Sequence, residues 1–177
     1  MDLPTNEDGI EDIKQLCKNH LVVWAAGNDG YHLHSSLERA LEEDENVRKH
    51  LFVVSNVKSD GKSLNSSSNY FGLHEQKENP LVQAVGIAAP GTDIVSTIAE
   101  KEVKQFGIMS GTSQAAPLVS GLLARLISDY PNASITEIAD RVRKGANQQV
   151  PFNDPEKFGQ GMIDVQNTYR LAKAYFK

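Results

Sequence analysis

The sequence GTSQAAPLVSGLLARLI, residues 111–127, decides the predicted fold. Over residues 115–127, apolar side chains occur around the whole circumference of a helix, which is typical of a helix buried on all sides. The segment Gly111-Thr112-Ser113 predicts the helix start, because hydroxyl groups there can cap free N–H groups and the positive end of the helix dipole lies there. We therefore expect a buried central helix with Ser113 at its N-terminus.

Strands and helices alternate in the rest of the chain. Residues 21–26 form a short apolar run closed by Gly27-Asn28-Asp29-Gly30, which predicts a parallel strand buried on both faces and a turn. A capping box from Ser134 to Glu137 predicts a helix start. The alternation indicates an α/β fold with a mostly parallel sheet. The remaining predicted strands cover residues 51–57, 82–89 and 94–98, and the predicted helices cover residues 10–17, 35–49, 134–142 and 164–175.

Composition limits the classes of function. The chain has 177 residues, of which 40% are hydrophobic, so we expect one globular domain over residues 1–177. No apolar run is long enough to span a membrane, and a net charge of −5 argues against a nucleic-acid partner. The single cysteine, Cys17, cannot form an internal disulfide and has the apolar spacing of a core residue. The acidic, polar N-terminus does not resemble a secretory signal, which leaves the cellular location open.

The segment that precedes the predicted central helix also resembles a known motif. Gly111-Thr112-Ser113-Gln114-Ala115-Ala116-Pro117 is similar to the nucleophile motif of the subtilases, Gly-Thr-Ser-x-Ala-x-Pro. That family normally has Met at the position of Gln114 and often His at that of Leu118, and neither departure removes the serine. Further segments resemble signatures of the family in the family's order: Ala25-Ala26-Gly27-Asn28-Asp29-Gly30, Ser68-Asn69-Tyr70-Phe71-Gly72, Ala88-Ala89-Pro90-Gly91 and Phe158-Gly159-Gln160-Gly161. The resemblance as a whole extends from Ile10 to Ala174.

The resemblance implies a fold and an activity. The expected fold is the C-terminal portion of a subtilisin-like three-layer α/β fold with a mostly parallel sheet and a buried central helix. The expected activity is that of a serine endopeptidase acting on polypeptides, in which Ser113 is the nucleophile and the side-chain amide of Asn28 stabilises the oxyanion. The resemblance also implies that substrate binds at Ala25, Ala26, Gly27 and Thr112.

Two members of the catalytic triad are missing from the sequence. In subtilases the triad Asp and His precede the serine along the chain, yet no Asp here lies in an Asp-Ser-Gly or Asp-Thr-Gly context and no His lies in a His-Gly-Thr context. A serine hydroxyl attacks an amide at a useful rate only when an oriented imidazole accepts its proton. We therefore expect the chain alone to be inactive and its partner to be an N-terminal fragment of the same protease that carries Asp and His.

Several alternatives remain open at this point. Ser113 can be an ordinary N-cap residue and Asn28 an ordinary turn residue. His32 and His34 can be loop histidines or a relocated base. The acidic run over residues 42–45 favours a solvated helix face over a metal site, so no cofactor or metal is predicted, although the family resemblance allows a structural calcium. The rival class of function is a non-catalytic binding or regulatory module with a subtilase-like fold.

Overall fold

A computed structural model of the chain describes residues 7–33, 35–72, 80–100, 103–149 and 151–176. Helices and strands alternate over residues 7–90, and two further strands and then a run of helices follow in the rest of the described residues. The helices are α1 Glu7–Cys17, α2 Ser35–Glu43, α3 Glu45–His50, α4 Pro80–Val85, α5 Thr112–Asp129, α6 Ile135–Gly145, α7 Pro155–Phe158 and α8 Val165–Tyr175. The strands are β1 Val22–Ala25, β2 Leu51–Val57, β3 Gly86–Pro90, β4 Ile94–Glu100 and β5 Val103–Met109.

The central sheet has three parallel strands in the order β1-β2-β3. All seven residues of β2 are buried, because strands lie on both sides of it and helices cover both of its faces. Leu51 and Val53 point into a cluster formed with α1 to α4. Phe52 and Val54 point the opposite way, into a cluster formed with α5, α6 and α8. The result is a helix–sheet–helix sandwich, which confirms the predicted three-layer α/β fold.

The two edges of the sheet differ. Beyond β3, residues 159–163 run alongside the strand, and hydrogen bonds join Ala88 N–H to Gly161 O at 2.9 Å and Ile163 N–H to Ala88 O at 2.9 Å. Beyond β1, no strand pairs within the described part of the chain. The β1 edge therefore presents unpaired backbone groups, which commonly serve as a template for pairing with another chain.

Two of the predicted strands were wrong in part. Residues 82–85 of the predicted strand over residues 82–89 belong to helix α4, and only residues 86–90 form β3. Pro80 occupies the first position of α4, where its missing N–H costs nothing, and Leu81, Val82 and Val85 share one helical face against the core. The strand predicted over residues 94–98 exists as β4, but it pairs antiparallel with β5, which was not predicted, and lies outside the parallel sheet.

The predicted helix over residues 35–49 is two helices. The chain leaves helical geometry at Asp44, whose side chain accepts the N–H of Asn46 at 2.7 Å and so caps α3. An aspartate in a helical pattern competes with the helix for backbone N–H groups, which explains the break.

The predicted burial of β1 and of the central helix also needs correction. The four residues of β1 are half-buried rather than buried on both faces, because within the described ranges the strand has a neighbour on one side only. Helix α5 packs one face on the sheet, whereas Leu118 and Ile127, which flank that face on its two opposite sides, are 41% and 42% exposed. The described elements therefore cover only one side of a helix whose sequence is apolar all round.

Other predicted features are confirmed. Ser134 and Glu137 form the complete capping box at the start of α6. Asp164 caps α8 through the N–H of Asn167 at 2.8 Å. Cys17 is fully buried in the core. None of the helices in the described ranges has both the length and the apolar character needed to cross a membrane.

Candidate functional site

The N-terminus of α5 is the centre of the candidate site. Gly111 is the N-cap residue, and it provides no side chain to cap the helix. The N–H groups of Gln114 and Ala115 bond to the Gly111 carbonyl at 3.0 and 3.2 Å, and the N–H of Thr112 bonds to Oδ1 of Asn28 at 2.9 Å. Among the described residues, the N–H of Ser113 has no hydrogen-bond partner. Because the Ser113 side chain is exposed, a free donor and a hydroxyl lie together at the positive end of a helix.

The Asn28 carboxamide is fixed by its contact with Thr112. The Thr112 hydroxyl accepts the N–H of Gly27 at 3.2 Å and donates to Oδ1 of Asn28 at 3.2 Å. Oδ1 also accepts the Thr112 N–H, so both of its lone pairs are engaged by one residue. The Nδ2 group of Asn28 is left without a partner in the part of the chain that the structure describes, and the residue is exposed. The structure thus brings Asn28 to the residue next to Ser113, although 84 residues separate Asn28 from Thr112 along the chain.

A glycine turn holds the start of α5 from the other side. The N–H of Gly111 donates to the carbonyl of Gly91 at 2.8 Å. A Cβ atom at Gly91 would lie 2.6 Å from the Gly111 oxygen and 2.8 Å from the Ala115 Cβ. The segment Ala88–Gly91 therefore ends in glycine because only glycine lets the turn approach the helix start this closely.

The predicted substrate residues lie along one path from β1 to the helix start. Ala25 ends β1, and Gly27 follows in a left-handed conformation at φ +102°. Ala26 is buried, and its N–H donates to the carbonyl of Val54 at 3.0 Å. Thr112 is fully buried, and its hydroxyl bonds to Asn28 and Gly27.

Other candidate residues identified in the sequence have contacts away from this site. The His32 ring packs edge-on against Tyr70, with 6.5 Å between ring centroids, and His34 lies outside the described residues. Within the acidic run, Glu43 forms an ion pair with Lys14, and Glu45 pairs with Lys49 at 2.8 Å. These pairings are those of a solvated helix surface.

A metal site would need ligands that converge on one point. The described ranges contain no group of three or more His, Cys, Asp or Glu side chains that could hold a metal ion. Calcium can also be held by backbone carbonyl and side-chain amide oxygens, so the structural calcium that the family resemblance allows stays a prediction.

The hairpin of β4 and β5 leads directly into the site. Its exposed face carries apolar side chains, and Phe106 and Ile108 are 76% and 67% exposed. Met109 ends β5, and its sulfur lies 3.9 Å from Nε2 of Gln114. Gln114, which stands where subtilases normally have Met, therefore contacts the neighbouring strand.

Comparison with known proteins agrees with the fold. The profile of the subtilase family matches residues 5–161. The chain is 37% identical over 125 residues to the major intracellular serine protease of Bacillus subtilis (strain 168), with 70% of this chain and 33% of that protein covered. It is 34% identical over 115 residues to the subtilisin-like protease SBT3.13 of Arabidopsis thaliana, with 55% of this chain and 15% of that protein covered.

Solved structures show the same fold. The patellamide maturation protease PatA superposes with a TM-score of 0.71 at 23% sequence identity, over 98% of this chain and 60% of that chain. The present chain spans less than two thirds of each of these proteins.

Proposed function

The chain belongs to the subtilase family, and we propose that it is the nucleophile-bearing part of a serine endopeptidase. The observation that carries the proposal is the pair of free N–H donors at the start of α5. The Ser113 N–H and the Asn28 Nδ2 both lack partners among the described residues, and both adjoin Thr112. Unsatisfied donors at a helix start next to a serine hydroxyl are the arrangement that stabilises an oxyanion during acyl transfer.

The proposed reaction is peptide-bond hydrolysis through an acyl-enzyme. The Ser113 Oγ attacks the scissile carbonyl carbon while a histidine accepts its proton. The carbonyl oxygen becomes an oxyanion, which accepts hydrogen bonds from the Ser113 N–H and from Asn28 Nδ2. The tetrahedral intermediate collapses with loss of the amine, which takes the proton from the histidine, and water then releases the acid product. Removing one such donor typically slows turnover about a hundred- to a thousand-fold.

Different roles follow for the residues around the substrate. The backbone of Ala25, Ala26 and Gly27 borders the pocket for the residue before the scissile bond, because this segment leads from β1 to Asn28. Thr112 is fully buried. We therefore propose that the Thr112 side chain orients Asn28 and that only the Thr112 backbone borders the substrate.

The triad Asp and His come from an upstream segment or a partner chain that binds at the open side of the molecule. Two observations support this location: the free edge of β1, and the exposed side of α5. Between them lies a groove of about 380 Å³ whose wall includes Leu21, Val23 and Ile127. An added strand and helix on this surface would bury the groove and bring a histidine to the start of α5.

A fluorophosphonate probe tests the proposal, because only an activated serine displaces its fluoride. We expect Ser113 to react when the upstream segment is supplied and to react much more slowly in the chain alone. Ser113→Ala should abolish labelling, whereas Ser128→Ala, which removes an exposed serine near the end of the same helix, should leave it unchanged. Labelling is read by intact mass and by peptide mapping.

One result would favour the rival function. If the complete enzyme, with its Asp and His segments present, binds peptide but leaves Ser113 unlabelled, the chain is a binding module that uses the helix start to hold a carboxylate.

A further inference from the structure

The Ser68–Gly72 signature has no role in the reaction described so far, yet it contacts the loop that carries Asn28. The side chain of Asn69 bonds to that loop on both sides of Asn28. Its Oδ1 accepts the N–H of Asp29 at 3.0 Å and the N–H of Tyr31 at 3.1 Å, and its Nδ2 donates to the carbonyl of Ala26 at 3.0 Å. We infer that Asn69 is a positioning residue that fixes the direction of the Asn28 side chain; this inference rests on the role proposed for Asn28.

The backbone around Asn69 strengthens the same attachment. The Asn69 N–H donates to the carbonyl of Gly27 at 2.9 Å, and the Gly30 N–H donates to the carbonyl of Ser67 at 2.8 Å. Tyr70 donates to the carbonyl of Tyr31 at 3.0 Å. These bonds hold residues 27, 30 and 31 against residues 67–70, so the backbone is fixed just before Asn28 and just after it.

The absence of a side chain at Gly27 leaves room for the Asn69 amide. A Cβ atom at residue 27 would lie 2.5 Å from Nδ2 of Asn69, and the φ of +102° already excludes most other residues. The glycine therefore serves two purposes, since it permits the turn and leaves room for the carboxamide that holds the turn. A side chain at residue 27 would therefore displace the Asn69 carboxamide.

The attachment bears on the reaction because Asn28 has few other restraints. Asn28 and Asp29 are exposed at the tip of the turn, and the contact with Thr112 fixes the end of the Asn28 side chain but not the backbone behind it. An oxyanion donor stabilises the transition state only when it is already aimed at the developing charge. A loop free to shift by about 1 Å can lower the rate on the order of a hundred-fold.

The first experiment is hydrogen exchange on the chain alone, which does not depend on activity. In Asn69→Ala we expect the amide protons of Asp29 and Tyr31 to exchange at least about ten-fold faster than in the parent chain. Asn167→Ala is the matched control, because it removes an asparagine that donates to the carbonyl of Gly145 at 3.0 Å, away from this loop. Unchanged exchange at residues 29 and 31 in Asn69→Ala would overturn the inference.

The second experiment separates positioning from general stability. The labelling rate of Ser113 is measured in a double-mutant cycle, with the upstream segment present. If Asn69 acts through Asn28, Asn69→Ala slows labelling about ten- to a hundred-fold in the parent but less than about three-fold in Asn28→Ala. Equal slowing in both backgrounds would mean that Asn69 supports the fold only, and would overturn the inference.

A third variant controls for loss of the side chain. Asn69→Asp retains acceptors for the two N–H groups but places an oxygen against the Ala26 carbonyl, so it should slow labelling while Asn167→Asp does not. A complete enzyme that never labels at Ser113 would contradict the proposed function, and the exchange data would still decide whether Asn69 holds the loop.

Discussion

At the residue scale, the Thr112 hydroxyl is one of the two hydrogen-bond donors that orient the Asn28 carboxamide. The Thr112 hydroxyl links the Gly27 N–H to Oδ1 of Asn28, which leaves Nδ2 free for the proposed contact with the oxyanion. The sequence predicted that Ser113 and Asn28 would belong to one site, because both lie in recognisable motifs. It did not predict the bonds of Asn69 or Thr112, because these join residues more than 35 positions apart and leave no local pattern.

Thr112→Val tests this dependence. Valine has nearly the shape of threonine but lacks the hydroxyl, so Gly27 N–H loses its acceptor and the Asn28 amide loses one of its two restraints. We expect labelling of Ser113 to slow about ten-fold or more and the free energy of unfolding to fall by about 1 kcal/mol. Thr112→Ser keeps the hydroxyl and should restore most of the rate. A Thr112→Val variant that labels at the parent rate would show that the Asn28 direction is set elsewhere.

Cys17 provides a second prediction at this scale. Burial raises the pKa of its thiol to about 12 from the usual 9.0. Between these values the folded chain keeps a proton that the unfolded chain has lost, so the contribution of Cys17 to stability is present below pH 9 and falls as the pH rises toward 12. In urea unfolding, we expect the stability difference between the parent and Cys17→Ala to shrink between pH 8 and pH 10.5. A difference that stays constant would contradict the predicted burial effect.

At the element scale, the sequence pattern predicted the positions of α5, α6 and α8. It missed features that depend on contacts between residues far apart in the chain. The start of α6 was predictable because a capping box is local. The packing of α6 was not predictable from the sequence. Arg143 donates to the carbonyls of Lys49 and Leu51 at 2.7 and 3.0 Å, and these residues lie more than 90 positions earlier in the chain. The apolar sequence of α5 predicted full burial, and its exposed side is where the structure and that pattern differ.

The capping box gives a prediction at this scale. Ser134→Ala removes the acceptor for the Glu137 N–H and the donor to the Glu137 carboxylate. We expect the free energy of unfolding to fall by about 1 kcal/mol, measured by urea denaturation. Ser128→Ala is the control and should change it by less than about 0.5 kcal/mol. Equal effects of the two substitutions would mean that the cap contributes nothing to α6.

At the scale of the whole molecule, one edge of the sheet is covered by a neighbouring segment and the other is open within the described residues. Residues 159–163 cover β3, and a Cβ at Gly159 would lie 2.3 Å from the backbone of Gly86, so this closure is tight. At the other edge, β1 and one flank of α5 share the groove whose wall includes Leu21, Val23 and Ile127. We proposed above that an upstream segment supplies Asp and His; such a segment has to contact the start of α5, and the β1 edge has backbone groups without a partner among the described residues to which it can bond.

Val23→Pro tests whether that edge is the docking site. The N–H of Ala26 bonds to β2, and alternate residues of a strand face the same side, so the N–H of Val23 faces the free edge. Proline there removes an outward donor without removing a bond to β2, which edge strands tolerate. We expect the chain to remain folded by circular dichroism, while the affinity for the upstream segment falls at least about ten-fold. Val23→Ala loses similar packing but keeps the N–H, and it should bind more tightly than Val23→Pro. If the two variants bind equally well, the upstream segment does not pair with β1, and the groove beside Ile127 must hold it through side chains alone.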